Sequence, residues 1–149
     1  MKTKWFTLLV LFVGLAIAVT GCGSSAAKAS PAVAPESVVK DFYQWYLGYS
    51  GNVMVDGAYR SSAYLTQEFI HKVDEIIASF DRGGYDPFLC AQDRPGGQSF
   101  DQALVSGDTA SVIVHNIWNP DTEYEISTDV TVDLQKMDGE WKISDIICR

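Results

Sequence analysis

An aspartate among apolar strand residues, a histidine in mid-strand and several tyrosines are the groups in this chain able to move protons. Asp145 ends the run Trp141-Lys142-Ile143-Ser144-Asp145, where period-two alternation puts it on the same side as Trp141 and Ile143. If that side faces the core, burial raises the carboxyl pKa and makes Asp145 a candidate general base. The competing reading is a bulge or strand end that returns it to solvent, or a tyrosine hydroxyl or basic side chain that engages it. His115, among Ser111, Ile113 and Ile117, titrates nearest neutrality; the plainer account is an exposed or hydrogen-bonded structural imidazole. Asp86, Gln92 and Asp93 flank Cys90 between Gly83-Gly84 and Pro95-Gly96-Gly97. Such a loop can hold a cation or line a ligand pocket. It can equally be a turn set by Asp86-Pro87, with Asp93 as a cap or paired to Arg94 or Arg82, and pinned by its cysteine. The sequence contains no EF-hand spacing, nucleophile elbow or phosphate-binding loop, and two distant histidines do not make a metal site. No cofactor and no metal are expected, and an enzyme using Asp145 with His115 or a tyrosine is the second reading, not the first.

These groups sit behind a leader. Lys2 and Lys4 precede a nearly unbroken apolar stretch from Trp5 to Val19, followed by Thr20-Gly21-Cys22. A basic start, a short apolar segment and small residues fit a secretory signal. Val19-Thr20-Gly21-Cys22 resembles the lipobox of bacterial lipoproteins. That resemblance implies cleavage of residues 1–21, lipidation of Cys22 and residence in the cell envelope, anchored to a membrane and facing outside the cytoplasm. The alternative is an uncleaved anchor with Cys22 incidental, although the stretch is short against the roughly 20 apolar residues a span needs. Residues 22–34 are Ala, Ser, Gly and Pro with one charge, Lys28, and read as a flexible tether.

The whole chain holds 11 basic and 19 acidic residues, a net charge of −8; loss of the two leader lysines takes it to −10. Such a surface repels nucleic acid and anionic headgroups and favours cationic partners. With Cys22 assigned to the anchor, Cys90 and Cys148 remain as an even pair in an oxidising compartment. A bridge between them would stabilise the fold by at most about 4 kcal/mol through loop entropy. Two buried thiols or a metal pair are the alternatives.

Residues 35–149 form one domain. Val38, Val39, Phe42, Trp45, Tyr46 and Tyr49 mark the face of a first helix beginning at Pro35 and ending at Gly48 or Gly51. Thr66 caps a second, with Phe69, Ile70, Val73, Ile76, Ile77 and Phe80 inward and His71 outward. A further helical turn is expected over Ser61–Leu65. From Gln98 onward the pattern is that of strands, separated by turns at Ser106-Gly107-Asp108, Asn119-Pro120-Asp121-Thr122 and Asp138-Gly139. Tyr124 through Leu134 alternate apolar and polar, whereas Ile113 and Ile117 predict partial cover on the second face of their strand. The fold class is α+β: N-terminal helices packed on a curved, four-stranded antiparallel meander. Val39-Lys40-Asp41-Phe42-Tyr43, Trp45-Tyr46, Tyr85 to Asp93 and Gly139 to Cys148 carry a resemblance to an uncharacterised family of bacterial secreted and lipid-anchored proteins with a nuclear transport factor 2-like fold. That resemblance implies a cone of helices set into a bent sheet. Enzymes on such a cone carry Asp, Tyr or His at its mouth.

The primary expectation is a non-enzymatic binding module. Phe42, Trp45, Tyr46, Trp118 and Trp141 are candidates to line a pocket for a small apolar ligand, or to meet an envelope protein. An acidic inhibitor or immunity-type protein that neutralises a basic partner is the further alternative. Mass spectrometry of the protein from its native envelope is expected to give a lipid-modified N-terminal Cys22; any other mature N-terminus overturns the leader assignment.

Overall fold

The computed structural model describes residues 33–81 and 83–148. The leader, Cys22 and most of the tether lie outside them, as do Arg82 and Arg149. Helix α1 (Pro35–Gly48) opens on Pro35, whose missing N–H falls where no intrahelical partner exists, and the Ala34 carbonyl accepts from Ser37 N and Val38 N. Val38, Val39, Phe42, Tyr43 and Tyr46 are buried. Tyr43 was not predicted on this face, while Trp45 and Tyr49 are only half-buried. Helix α2 (Gln67–Ala78) is capped by Thr66, whose Oγ1 accepts from Phe69 N at 3.1 Å. The intervening helical turn is a 3₁₀ segment at Ala58–Ser61, earlier than the expected Ser61–Leu65. Leu65 is instead held in a parallel bridge to Ile143, with Thr66 N donating to Ile143 O and Ile143 N to Tyr64 O.

The antiparallel sheet has five strands rather than four: β1 (Gly97–Phe100), β2 (Leu104–Ser106), β3 (Thr109–Trp118), β4 (Ile126–Met137) and β5 (Glu140–Cys148). Across the sheet the order is β1-β3-β4-β5, and β2 pairs with the N-terminal part of β3 while β1 pairs with its C-terminal part. The expected first strand is thus broken in two along one edge of β3. Asp138-Gly139, both at positive φ, close the β4–β5 hairpin in two residues, the geometry that matches strand twist. Val130, Val132 and Leu134 are buried, as predicted, but Tyr124, Ile126 and Thr128 on the same parity are exposed. The apolar run extends past the part of the sheet that packs into the core.

The core centres on Phe88, which belongs to a loop and not to a helix or strand. Its ring centroid lies 5.5 Å from Phe42, 5.1 Å from Tyr46, 5.7 Å from Tyr59 and 6.0 Å from Phe69. Five rings from both helices, the 3₁₀ turn and the loop therefore fill the interior. Truncating a buried phenylalanine costs about 3–5 kcal/mol through lost transfer energy and the cavity left behind. Urea unfolding is expected to show a loss of that size for Phe88→Ala, and a change within about 0.5 kcal/mol for the exposed Tyr124→Ala.

Candidate functional site

The same loop builds a half-buried polar arrangement on a concave surface. Asp86 Oδ1 accepts from Phe88 N at 2.9 Å and Leu89 N at 3.1 Å, an Asx-type turn. Its Oδ2 accepts from the Tyr46 hydroxyl at 2.5 Å. Asp86 N donates to Ala91 O and Cys90 N to Asp86 O, each at 2.7 Å, so the loop closes on itself. Cys90 takes a positive φ of 54° and is joined by a disulfide to Cys148 at the end of β5. From the other side, Tyr43 donates to Phe88 O at 2.7 Å and Asn116 Nδ2 to Leu89 O at 3.1 Å. Gln98 Nε2 in turn donates to Asn116 Oδ1 at 2.6 Å.

Tyr46 and Asp86 line a cleft of about 390 Å³. Its walls include Val53, Met54, Ile77, Phe80, Tyr85 and Leu89, and Gln92, Asp93 and Arg94 add polar groups. Burial pushes the Asp86 carboxyl above its ordinary range, outweighing the Tyr46 hydrogen bond, the two backbone N–H groups and the Arg94 charge, which favour ionisation. Burial, reinforced by the adjacent Asp86 charge, pushes the Tyr46 hydroxyl up as well, so it stays protonated and donates. An ionised carboxylate has about four lone-pair positions, and three are occupied here, leaving one for a ligand donor. Arg94 Nη1 donates to Leu47 O at 3.2 Å rather than pairing with Asp93.

Asp145 does not enter the core. Leu134 pairs with Ile143 and Asp133 with Asp145, which leaves Ser144 unpaired in a bulge. The extra residue reverses the alternation, so Ile146 takes the buried position that Asp145 would otherwise hold. The Asp145 carboxylate instead accepts from Lys72 of α2 at 2.7 and 2.8 Å. His115 stands two strands away, with β4 between them, and its Nδ1 and Nε2 contact Asp129 at 2.7 Å and Asp101 at 3.2 Å. Those carboxylates, Asp129 first, raise the imidazole pKa. Asp145 and His115 are therefore not brought together.

The pocket candidates are dispersed as well. Phe42 is wholly inside the ring cluster, and Tyr46 reaches the cleft. Trp45 is half-buried beside Phe42, Tyr46 and Tyr64, and Trp118 is half-buried at the end of β3. Trp141 lines a separate groove with Val38 and Tyr64, under the Lys136 ammonium at 5.6 Å. Phe42, Trp45 and Tyr46 touch one another along α1, but of the five rings the cleft takes in Tyr46 and the groove Trp141. Sequence reasoning noted Tyr46 and Asp86 separately but missed their pairing, because the contact spans 40 residues.

No protein-family model matches this chain. Nor does any curated protein. Solved structures do match. A chain of the type VI native effector–immunity complex Tae3–Tai3 from Ralstonia pickettii superposes with a TM-score of 0.59 at 23% identity, over 77% of this chain and 94% of that one. The selenomethionine form of that complex gives 0.57 at 24% identity, over 76% and 95%. A protein of unknown function from Bacteroides thetaiotaomicron VPI-5482 gives 0.54 at 24% identity, over 76% and 88%. This chain shares their α+β fold.

The Asp86 carboxyl has a definite pH signature. Its native pKa is raised above the unfolded value of about 3.9, so the native state binds the extra proton. The contribution to stability is full below that unfolded value and is lost as pH rises through the native one. Asn at 86 does not titrate, keeps an acceptor for both N–H groups, and presents an amide donor that the Tyr46 hydroxyl accepts. Urea titrations at stepped pH are expected to show Asp86→Asn gaining stability relative to wild type from about pH 4 upward and then levelling. A flat difference would show that Asp86 titrates normally.

Proposed function

We propose that this protein is a lipid-anchored binding protein of the cell envelope that acts by holding a protein partner of opposite charge, as an immunity-type inhibitor does. Cys22 supplies the anchor in this reading, and the chain belongs with the uncharacterised secreted proteins that its motifs resemble, on a nuclear transport factor 2-like cone. The observation that carries the reading is a filled interior combined with an acidic exterior. Phe88 and its four ring neighbours occupy the space between helices and sheet, while acid exceeds base by eight charges over the chain. Recognition is then a matter of surface, and an acidic surface steers and selects basic proteins. Two further points support it: a fold shared with a chain of an effector–immunity complex, and a disulfide, which belongs in oxidising compartments. Among the described residues no helix is long and apolar enough to cross a membrane.

The cleft beside Tyr46 and Asp86 favours a second reading, capture of a small, largely apolar ligand with one hydrogen-bond donor. Its volume of about 390 Å³ falls within the range of small-molecule sites.

Affinity capture from envelope extracts separates the two. A basic protein is expected to be retained at about 0.1 M salt and released near 1 M, where the Debye length shrinks from about 10 Å to about 3 Å. Retention indifferent to salt, or a co-purifying apolar small molecule lost in Tyr46→Phe and Asp86→Asn, would turn the assignment to the ligand reading.

A further inference from the structure

The two faces of the sheet are treated differently. Val112, Val114 and Asn116 of β3 and Val130, Val132 and Leu134 of β4 are buried in the core beneath the helices. Residues of the alternate parity point to the other face, and α2 reaches it at the β5 edge, where Lys72 pairs with Asp145, the cross-strand neighbour of Asp133. Register sets its pattern. Ile113, Thr131 and Ile147 stand opposite one another across β3, β4 and β5, forming an apolar bar at right angles to the strands. To one side lie Asp129 and its partner His115, which also reaches Asp101. To the other lies Asp133, bonded to Ser111. Among the described residues no Lys or Arg pairs with Asp101, Asp129 or Asp133.

Two observations say that this face is built to be covered. Ile113 and Ile117 sit half-buried on it, although a wet face of an antiparallel sheet is normally polar. Thr131, at its centre, is 8% exposed, and its hydroxyl has no hydrogen-bond partner. Buried polar groups are ordinarily paired, so an unpaired one marks something missing. We propose that this sheet face is the docking surface, and that its occupant is a protein with an apolar centre rimmed by Lys or Arg. Charge decides between occupants. A second copy would set the rows of Asp101, Asp129 and Asp133 against their own equivalents, whereas a basic rim neutralises them on both sides of the bar. The assignment rests on the partner-binding reading above and adds where the partner sits.

Photo-crosslinking in the intact envelope tests it, with benzoylphenylalanine placed in the full chain at Ile113 or Ile117 and, as a control, at Glu68 on α2. Adducts from the two sheet positions, but not from Glu68, are expected with one protein whose Lys and Arg outnumber its Asp and Glu. Binding of that purified protein is expected to weaken at least about tenfold in the Asp129→Lys, Asp133→Lys double variant and to stay within about twofold in Glu68→Lys. Unchanged far-ultraviolet circular dichroism and thermal midpoint establish that the variants fold. Absence of adducts, adducts with another copy of the chain alone, or equal yield from Glu68 would overturn the assignment. If the salt-sensitive partner is still captured when the sheet positions fail to crosslink, the face is wrong and the binding reading stands. If neither occurs, both fail.

Discussion

The structure depends on holding one loop aromatic, Phe88, at the centre of the core. Most cores are closed by helix against sheet; here the last ring comes from a turn that would otherwise run along the surface. Keeping it inward requires that the backbone around it be satisfied without solvent. Asp86 answers for the Phe88 and Leu89 N–H groups, Tyr43 for the Phe88 carbonyl, and Asn116 for the Leu89 carbonyl. The disulfide to Cys148 then fixes the loop to the last strand. The polar groups there serve first to make burial of a ring possible.

That constraint also explains the cleft and the burial of its acid. A carboxylate that must accept buried N–H groups is itself drawn from water, and its pKa rises although three of its four neighbouring interactions are attractive hydrogen bonds. Tyr46 joins the two roles, with its ring against Phe88 and its hydroxyl on Asp86. The cleft is what remains outside this seal, where Leu89 and Tyr85 meet residues of the segment after α1 and the end of α2. The sheet behaves in the complementary way. One face is closed by the ring cluster, and the other carries the row Ile113, Thr131 and Ile147 edged by carboxylates.

How much of this was legible depended on the range of the interaction involved. Thr66 as a cap, Pro35 as a helix start and Asp138-Gly139 as a hairpin are set by residues within three or four positions, and all appear where the pattern puts them. The α+β order of helices followed by sheet was equally local. Asp145 shows the limit: alternation along β5 points it inward, and one unpaired residue, Ser144, cancels the parity. A bulge and a basic partner were the competing reading, and both are present, but the choice between the readings is fixed by pairing with β4. The split of the expected first strand into β1 and β2 is of the same kind.

The amino-acid order by itself determined the helix starts, the turns, the cysteine pair as a candidate bridge and the excess of acid, since each follows from neighbours in the chain or from simple counting. Tertiary structure alone decided that Tyr46 meets Asp86, that Phe88 and not a helix residue sits at the middle, and that His115 and Asp145 stand apart. The first two depend on contacts 40 or more residues distant and the third on the pairing of β5 with β4, geometry that exists only once the loop, both helices and the sheet have closed on one another.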